Sequence, residues 1–69
     1  MERTLVSSSN INSIGYEPSS STLQIEFNNG NIYDYYDVPE EQYDALMSAG
    51  SIGSFFHANI RKNFTFQQV

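Results

Sequence analysis

His57 is the only histidine and there is no cysteine, so a nucleophile–base pair or a metal centre would have to be built around one imidazole. A helix through this region places Gly53, Ser54, Ile60 and Arg61 about one turn away, and none of them is a carboxylate able to orient the ring. A surface or partly packed histidine is the expected outcome. The ten serines form no G-x-S-x-G nucleophile elbow. Gly50-Ser51-Ile52-Gly53 reads as a helix-to-helix junction capped by Ser51, and its free amides beside Ser51, Gly53 and Ser54 would suit a small anion. Asp34, Asp37, Glu40, Glu41 and Asp44 fall within eleven positions but lack the D-x-[DN]-x-[DN]-G spacing of a calcium loop. A strand followed by a helical turn sends them in different directions, so a solvated acidic face is expected, with no metal and no cofactor. Tyr33-Asp34-Tyr35-Tyr36 could stack nucleobases. Aromatic sheet surfaces that do so also need cations along the backbone track, and only Arg61 and Lys62 are at hand.

These residues must be positioned by one domain spanning 1–69, because 69 residues leave no room for a second folding unit. Eight acidic against three basic side chains give a net charge of −5, which disfavours strong attraction to nucleic acid backbones. Without cysteine the core rests on apolar packing, and five Tyr and five Phe supply most of it. No apolar run approaches the roughly 20 residues that span a bilayer, and Met1-Glu2-Arg3-Thr4-Leu5-Val6 does not read as a signal peptide. The expected location is the cytoplasm.

Ile11–Glu17 alternates with Ile14 and Tyr16 on one face, after a Ser7-Ser8-Ser9-Asn10 loop. Pro18-Ser19-Ser20-Ser21 is a turn, and Thr22–Phe27 has Leu23, Ile25 and Phe27 on one face with Gln24 and Glu26 on the other. Asn31–Asp37 resumes β character, so the two segments form an antiparallel hairpin around Asn28-Asn29-Gly30. A two-residue Asn29-Gly30 turn would set Asp34 opposite Ile25 and expose Tyr33 and Tyr35. A three-residue loop with left-handed Gly30 sets Tyr33 opposite Ile25 and Tyr35 opposite Leu23, burying both rings. Burying Asp34 among Leu23, Ile25 and Phe27 would cost several kcal/mol, roughly the stability of a small domain. The three-residue loop is therefore expected, leaving Ile32 and Tyr36 on the outer face.

Val38-Pro39 ends the sheet and Pro39-Glu40-Glu41 opens a helix, carboxylates at its positive pole, with Tyr43, Leu46 and Met47 as its apolar stripe. Gly50 fits the left-handed residue after that helix. Ser51 then caps a second helix from Ile52 to about Lys62, with Ile52, Phe56 and Ile60 four apart. Phe64-Thr65-Phe66 suits a short final strand.

Ser8-Ser9-Asn10-Ile11, Ile14-Gly15-Tyr16-Glu17, Leu23-x-Ile25-x-Phe27-x-x-Gly30, Ile32-Tyr33-Asp34-Tyr35, Val38-Pro39, Tyr43, Leu46, Ser51-x-Gly53, Phe56 and Ile60-Arg61 occur in an order that resembles the KTSC domain. That family takes its name from the C-terminus of certain lysyl-tRNA synthetases and also occurs as small stand-alone proteins, some encoded by phages. Its hallmark Tyr-x-Tyr falls on Tyr33 and Tyr35, and the resemblance covers nearly the whole chain. It implies a small module of unestablished role, for which attachment to a synthetase has suggested RNA binding. His57 replaces an Asn-like residue, and the charge is strongly negative; both weigh against transferring RNA binding directly.

The expected architecture is α+β: a three-stranded antiparallel β-meander followed by two α-helices packed on one face, with a short C-terminal strand. The expected function is non-enzymatic binding of a protein partner through Tyr36, His57, Asn59, Arg61 and Lys62. The alternative is an RNA or nucleotide binder that stacks on Tyr33 and Tyr35 and uses Arg61 for phosphate. A third reading is an oligomer that sequesters a small anionic ligand at Ser51 and Gly53. The oligomeric state is left open, a dimer contact through Ile32 and Tyr36 on the outer face being one option beside an edge or ordinary exposure, and no membrane contact is expected.

Overall fold

The alternation over Thr22–Phe27 produces the middle strand of a five-stranded antiparallel sheet in a computed structural model that describes residues 1–69. The strands are β1 (Arg3–Leu5), β2 (Ile11–Glu17), β3 (Thr22–Phe27), β4 (Ile32–Tyr35) and β5 (Phe66–Gln68), and they lie in that order across the sheet. The β4–β5 connection holds α1 (Glu40–Ser48) and α2 (Ile52–Phe55), and α2 runs directly into a π-helical turn, Phe56–Ile60. No helix is long and apolar enough to cross a membrane.

The hairpin register is the one that keeps Asp34 out of the core. Leu23 pairs with Tyr35 and Ile25 with Tyr33, while Asp34 sits beside Gln24 on the outer face and accepts a 3.0 Å hydrogen bond from its amide. Gly30 closes the three-residue loop at φ +92°, a conformation only glycine adopts without strain. Phe27 and Gly30 seal it, donating to Asn31 O and Phe27 O at 2.9 Å each.

The expected three-stranded meander is present as β2–β3–β4 with β5 as the C-terminal strand, and β1 adds a fifth strand at the far edge. β1 carries no apolar alternation and all three of its residues are exposed, so it is held by backbone pairing to β2 and by Arg3. Arg3 Nε donates to Ser13 Oγ at 3.0 Å and Nη1 to Gln24 Oε1 at 2.6 Å. β5 starts at Phe66, two residues later than the expected 64–66, and pairs antiparallel with β4.

Ile11, Ile14, Leu23, Ile25 and Tyr35 from the sheet meet Val38, Leu46, Phe56 and Ile60 from the connection to form one core, so both helices lie on one face. Strict alternation would turn Ile11 away from Ile14. A bulge between Ile11 and Ser13 restores it to the core side, where Ile11 is fully buried.

Two helix boundaries differ in mechanism from expectation. α1 ends at Ser48 with Ala49 extended, and Gly50 does not take the left-handed conformation, since Gly30 is the one glycine with positive φ. The second helix stops being α-helical at Phe55, and the π turn brings both Phe56 and Ile60 into the core. Ser51 does cap it, accepting from Ser54 N at 3.3 Å.

Candidate functional site

Where β3, β4 and β5 approach the π turn, five rings form a closed circuit. Phe27 meets Phe56 at 5.6 Å between centroids, Phe56 meets Tyr35 at 5.4 Å, Tyr35 meets Phe66 at 5.5 Å, Phe66 meets Tyr33 at 5.8 Å, and Tyr33 returns to Phe27 at 5.7 Å. Three of these contacts are edge-to-face, the arrangement that sets positive ring edges against negative faces. The circuit lines a cavity of about 360 Å³ whose rim is made by Asn10, Asn29, Asn31, His57 and Arg61.

The rim contains no carboxylate, although the chain carries a net charge of −5. Arg61 is fixed by its backbone, which donates to Phe56 O at 3.0 Å and closes the π turn. Tyr35 is buried, and burial pushes its phenol above the ordinary tyrosine value. The neighbouring Tyr33 adds to that, while the Arg61 charge opposes it. Such a surface offers apolar ring edges, amide donors and acceptors, one guanidinium and one imidazole. It suits a group that is flat or apolar and negatively charged at one end.

A second, more polar cavity of about 720 Å³ adjoins the first, and the two share Asn10 and His57. It lies between the Ser7–Asn10 loop and the start of α2, with Ser51, Gly53 and Ser54 on one wall. The loop is held to the hairpin through Asn28, which donates from its side chain to Ser9 O at 3.0 Å and from its backbone to Asn10 O at 2.9 Å. The Ser51 hydroxyl is engaged in capping and bonds Ser54 Oγ at 3.0 Å. Gly53 leaves room for the Asn10 and Ser8 side chains.

Of the residues singled out in the sequence, Tyr33, Tyr35, His57 and Arg61 converge on the smaller cavity. Ser51 and Gly53 line the larger one with His57. Tyr36, Asn59 and Lys62 line neither: Tyr36 Oη donates to Gln67 Oε1 at 3.3 Å on the outer face, Asn59 Nδ2 donates to Phe55 O at 3.2 Å, and Lys62 is exposed. Tyr35 is only 4% exposed, so it is a wall of the cleft and not a free platform. Sequence reasoning missed Asn10, Asn29, Asn31, Phe27, Phe56 and Phe66 as cleft residues. The local hint was that Asn29 and Asn31 flank the loop glycine Gly30; that residues 10, 31 and 61 line one cleft is set by tertiary packing.

A family model described as the KTSC domain matches residues 7–64. The chain belongs to the KTSC domain family. Its fold closely follows that of a KTSC domain protein from Yersinia pestis, whose crystal structure superposes with a TM-score of 0.93 at 42% identity, covering 99% of this chain and 96% of that one. An uncharacterized protein of Stutzerimonas stutzeri is 40% identical over 57 residues, or 83% of this chain and 80% of that protein. A lysine–tRNA ligase of a Nostoc species is 41% identical over 54 residues, 78% of this chain but 10% of the ligase. The KTSC segment 7–64 contains the hairpin, both helices and the Ser7–Asn10 loop, whereas the edge strands β1 and β5 lie outside it.

Proposed function

We propose that this KTSC protein is a non-enzymatic interaction module that holds a protein partner through the five-ring cleft, the contacting part of that partner being anionic. The observation that carries the reading is the charge of the rim: the Arg61 guanidinium, with His57 as a further polar group, shares the cleft with five aromatic rings and no carboxylate, on a chain that is otherwise acidic. Aromatic side chains and arginine dominate the binding energy of protein interfaces, because they bury much area and lose little rotamer freedom per contact. The same inventory supports a binder over a catalyst. Rings, amides, a guanidinium and an imidazole without an orienting carboxylate give no pair able to activate a nucleophile.

The test is affinity capture from lysate of the host, with and without nuclease treatment, with wild-type protein and Arg61→Glu side by side. A protein retained by the wild type and released by Arg61→Glu supports the reading. Retention of nuclease-sensitive material alone defeats it.

One observation favours a second reading, RNA or nucleotide binding. The cleft volume of about 360 Å³ falls within the roughly 300–1,000 Å³ of small-molecule sites, and half-buried Tyr33 lines it together with Arg61. Calorimetric titration with nucleoside monophosphates and a single-stranded RNA oligonucleotide at low and high salt separates the two. Salt-sensitive binding lost in Tyr33→Leu would favour the nucleic acid reading.

A further inference from the structure

The free edge of β5 is polarised residue by residue. Tyr36 N donates to Thr65 O and Val69 N to Ile32 O, each at 2.9 Å, with Asp34 opposite Gln67 between them. Residues 65, 67 and 69 therefore turn their backbone groups towards β4, and Phe66 and Gln68 turn theirs outward, away from the sheet. Natural edge strands are usually blunted by lysine, proline or a bulge. From Phe64 to Val69 this edge has no charged side chain and no proline, and Phe66 and Val69 are 55% and 60% exposed.

Pairing with Tyr35 and Tyr33 puts the Phe66 and Gln68 side chains on the sheet face that carries the cleft. A strand laid against β5 would thus bring alternate side chains to the cleft mouth, because side-chain direction repeats every second residue. Charge selects the occupant. Arg61 and Lys62, two of the three basic side chains, lie on the turn that leads to β5, and the third, Arg3, is on the opposite edge of the sheet. An acidic extended segment is drawn to this end, whereas a second copy of a chain with net charge −5 is repelled overall.

We propose that the β5 edge takes up an extended segment of a protein partner as a sixth strand, which directs an Asp or Glu side chain into the cleft towards Arg61. This rests on the interaction-module reading and specifies how the partner is held.

The test is selection from a randomised phage-displayed peptide library on the intact protein, followed by synthesis of the enriched peptide. The expected enrichment is β-branched residues alternating about an Asp or Glu. Binding should slow amide exchange at Phe66 and Gln68 and shift the Arg61 side-chain resonances. Gln68→Pro removes an outward donor but leaves the β4 pairing, and should weaken affinity about tenfold, as should Arg61→Gln or a peptide with Asn in place of its Asp. If Gln68→Pro folds poorly, amide exchange in the wild-type complex decides alone. Acidic peptides that bind while the Phe66 and Gln68 amides stay unchanged overturn strand addition and leave the module reading standing. Failure to select any acidic peptide, or cleft shifts produced by an RNA oligonucleotide and by no peptide, overturns both.

Discussion

A methyl group on Gly53 would lie 2.9 Å from Oδ1 of Asn10, so the first turn of α2 and the Ser7–Asn10 loop meet at a point with no room for a side chain. Ser8 Oγ would be 3.2 Å away and is itself bonded to Asn10 Oδ1 at 3.1 Å, which restricts how far Asn10 can swing aside. This contact explains the glycine of the Ser-x-Gly pair: Ser51 supplies the cap, and Gly53 lets the loop close over it.

Gly53→Ala therefore combines two opposed effects. Alanine gains up to about 1 kcal/mol of helix propensity over glycine, and the collision with Asn10 cancels that gain. Urea denaturation of Gly53→Ala, Asn10→Ala and the double variant should give a coupling energy of about 1 kcal/mol, with alanine at 53 stabilising only when Asn10 is truncated. Additive single effects would remove the close contact from the account.

Gly15 has a similar role at the opposite edge, with a harder neighbour. A Cβ there would stand 2.7 Å from the backbone carbonyl of Glu2, which cannot rotate away as a side chain can. Gly15→Ala should displace β1 and cost about 1–3 kcal/mol, the usual range for forced overpacking. Hydrogen exchange supplies the specific readout: amides of β1 and Val6, whose N–H donates to Asn12 O at 3.1 Å, should lose protection before the β2–β3 pair does.

Tyr35 tests whether the hallmark tyrosines are scaffold or free ligands. Its ring is buried against Phe56 and Phe66, and Tyr35→Ala should cost about 3–5 kcal/mol, enough to unfold most of a domain this small. Tyr35→Phe keeps the packing and should be nearly neutral at pH 7. Because burial, helped by Tyr33 and opposed by Arg61, raises the Tyr35 phenol above 10.0, the folded state favours the neutral ring. That contribution is complete below pH 10 and is lost as pH rises through the folded value. Denaturation curves recorded through the tyrosine range should show a decline in stability that is shallower in Tyr35→Phe.

Much of this arrangement is legible because a charge must avoid the core. Asp34 settles the hairpin register: setting it opposite Ile25 would bury a carboxylate, so Tyr33 and Tyr35 have to face inward and Gly30 must be left-handed. The stripe of Phe56 and Ile60 is equally readable, as is the Ser51 cap. What escapes is structure without a local pattern. β1 buries nothing and exists because β2 offers an edge and Gly15 offers space; Ile11 reaches the core through a bulge that alternation alone would deny. The cleft is half legible, since Tyr33, Tyr35, His57 and Arg61 are chemically conspicuous, while Asn10, Asn29 and Asn31 become rim residues only when distant loops meet.

Glu26 is the most connected carboxylate on the outer sheet face, and its acid titration should report the hydrogen bonds more than the ion pair. Its Oε1 accepts from Asn12 Nδ2 at 2.9 Å and from Ser13 Oγ at 2.7 Å, whereas Arg3 Nη2 stands 3.9 Å away. The Asn12 and Ser13 bonds, in that order, hold the carboxyl below its ordinary 4.5 against a smaller upward push from burial, with Arg3 contributing least. A depressed folded value means that the stabilisation is present above pH 4.5 and is lost as pH falls through the folded value. Glu26→Gln should therefore flatten that part of the acid limb. Carboxyl carbon titration by NMR should show Asn12→Ala raising Glu26 more than Arg3→Ala does, with little response to added salt, since direct hydrogen bonds are screened far less than a solvent-exposed charge pair. A Glu26 value that returns to normal in salt, or one that Arg3→Ala restores alone, would make the guanidinium the principal cause and contradict the geometry.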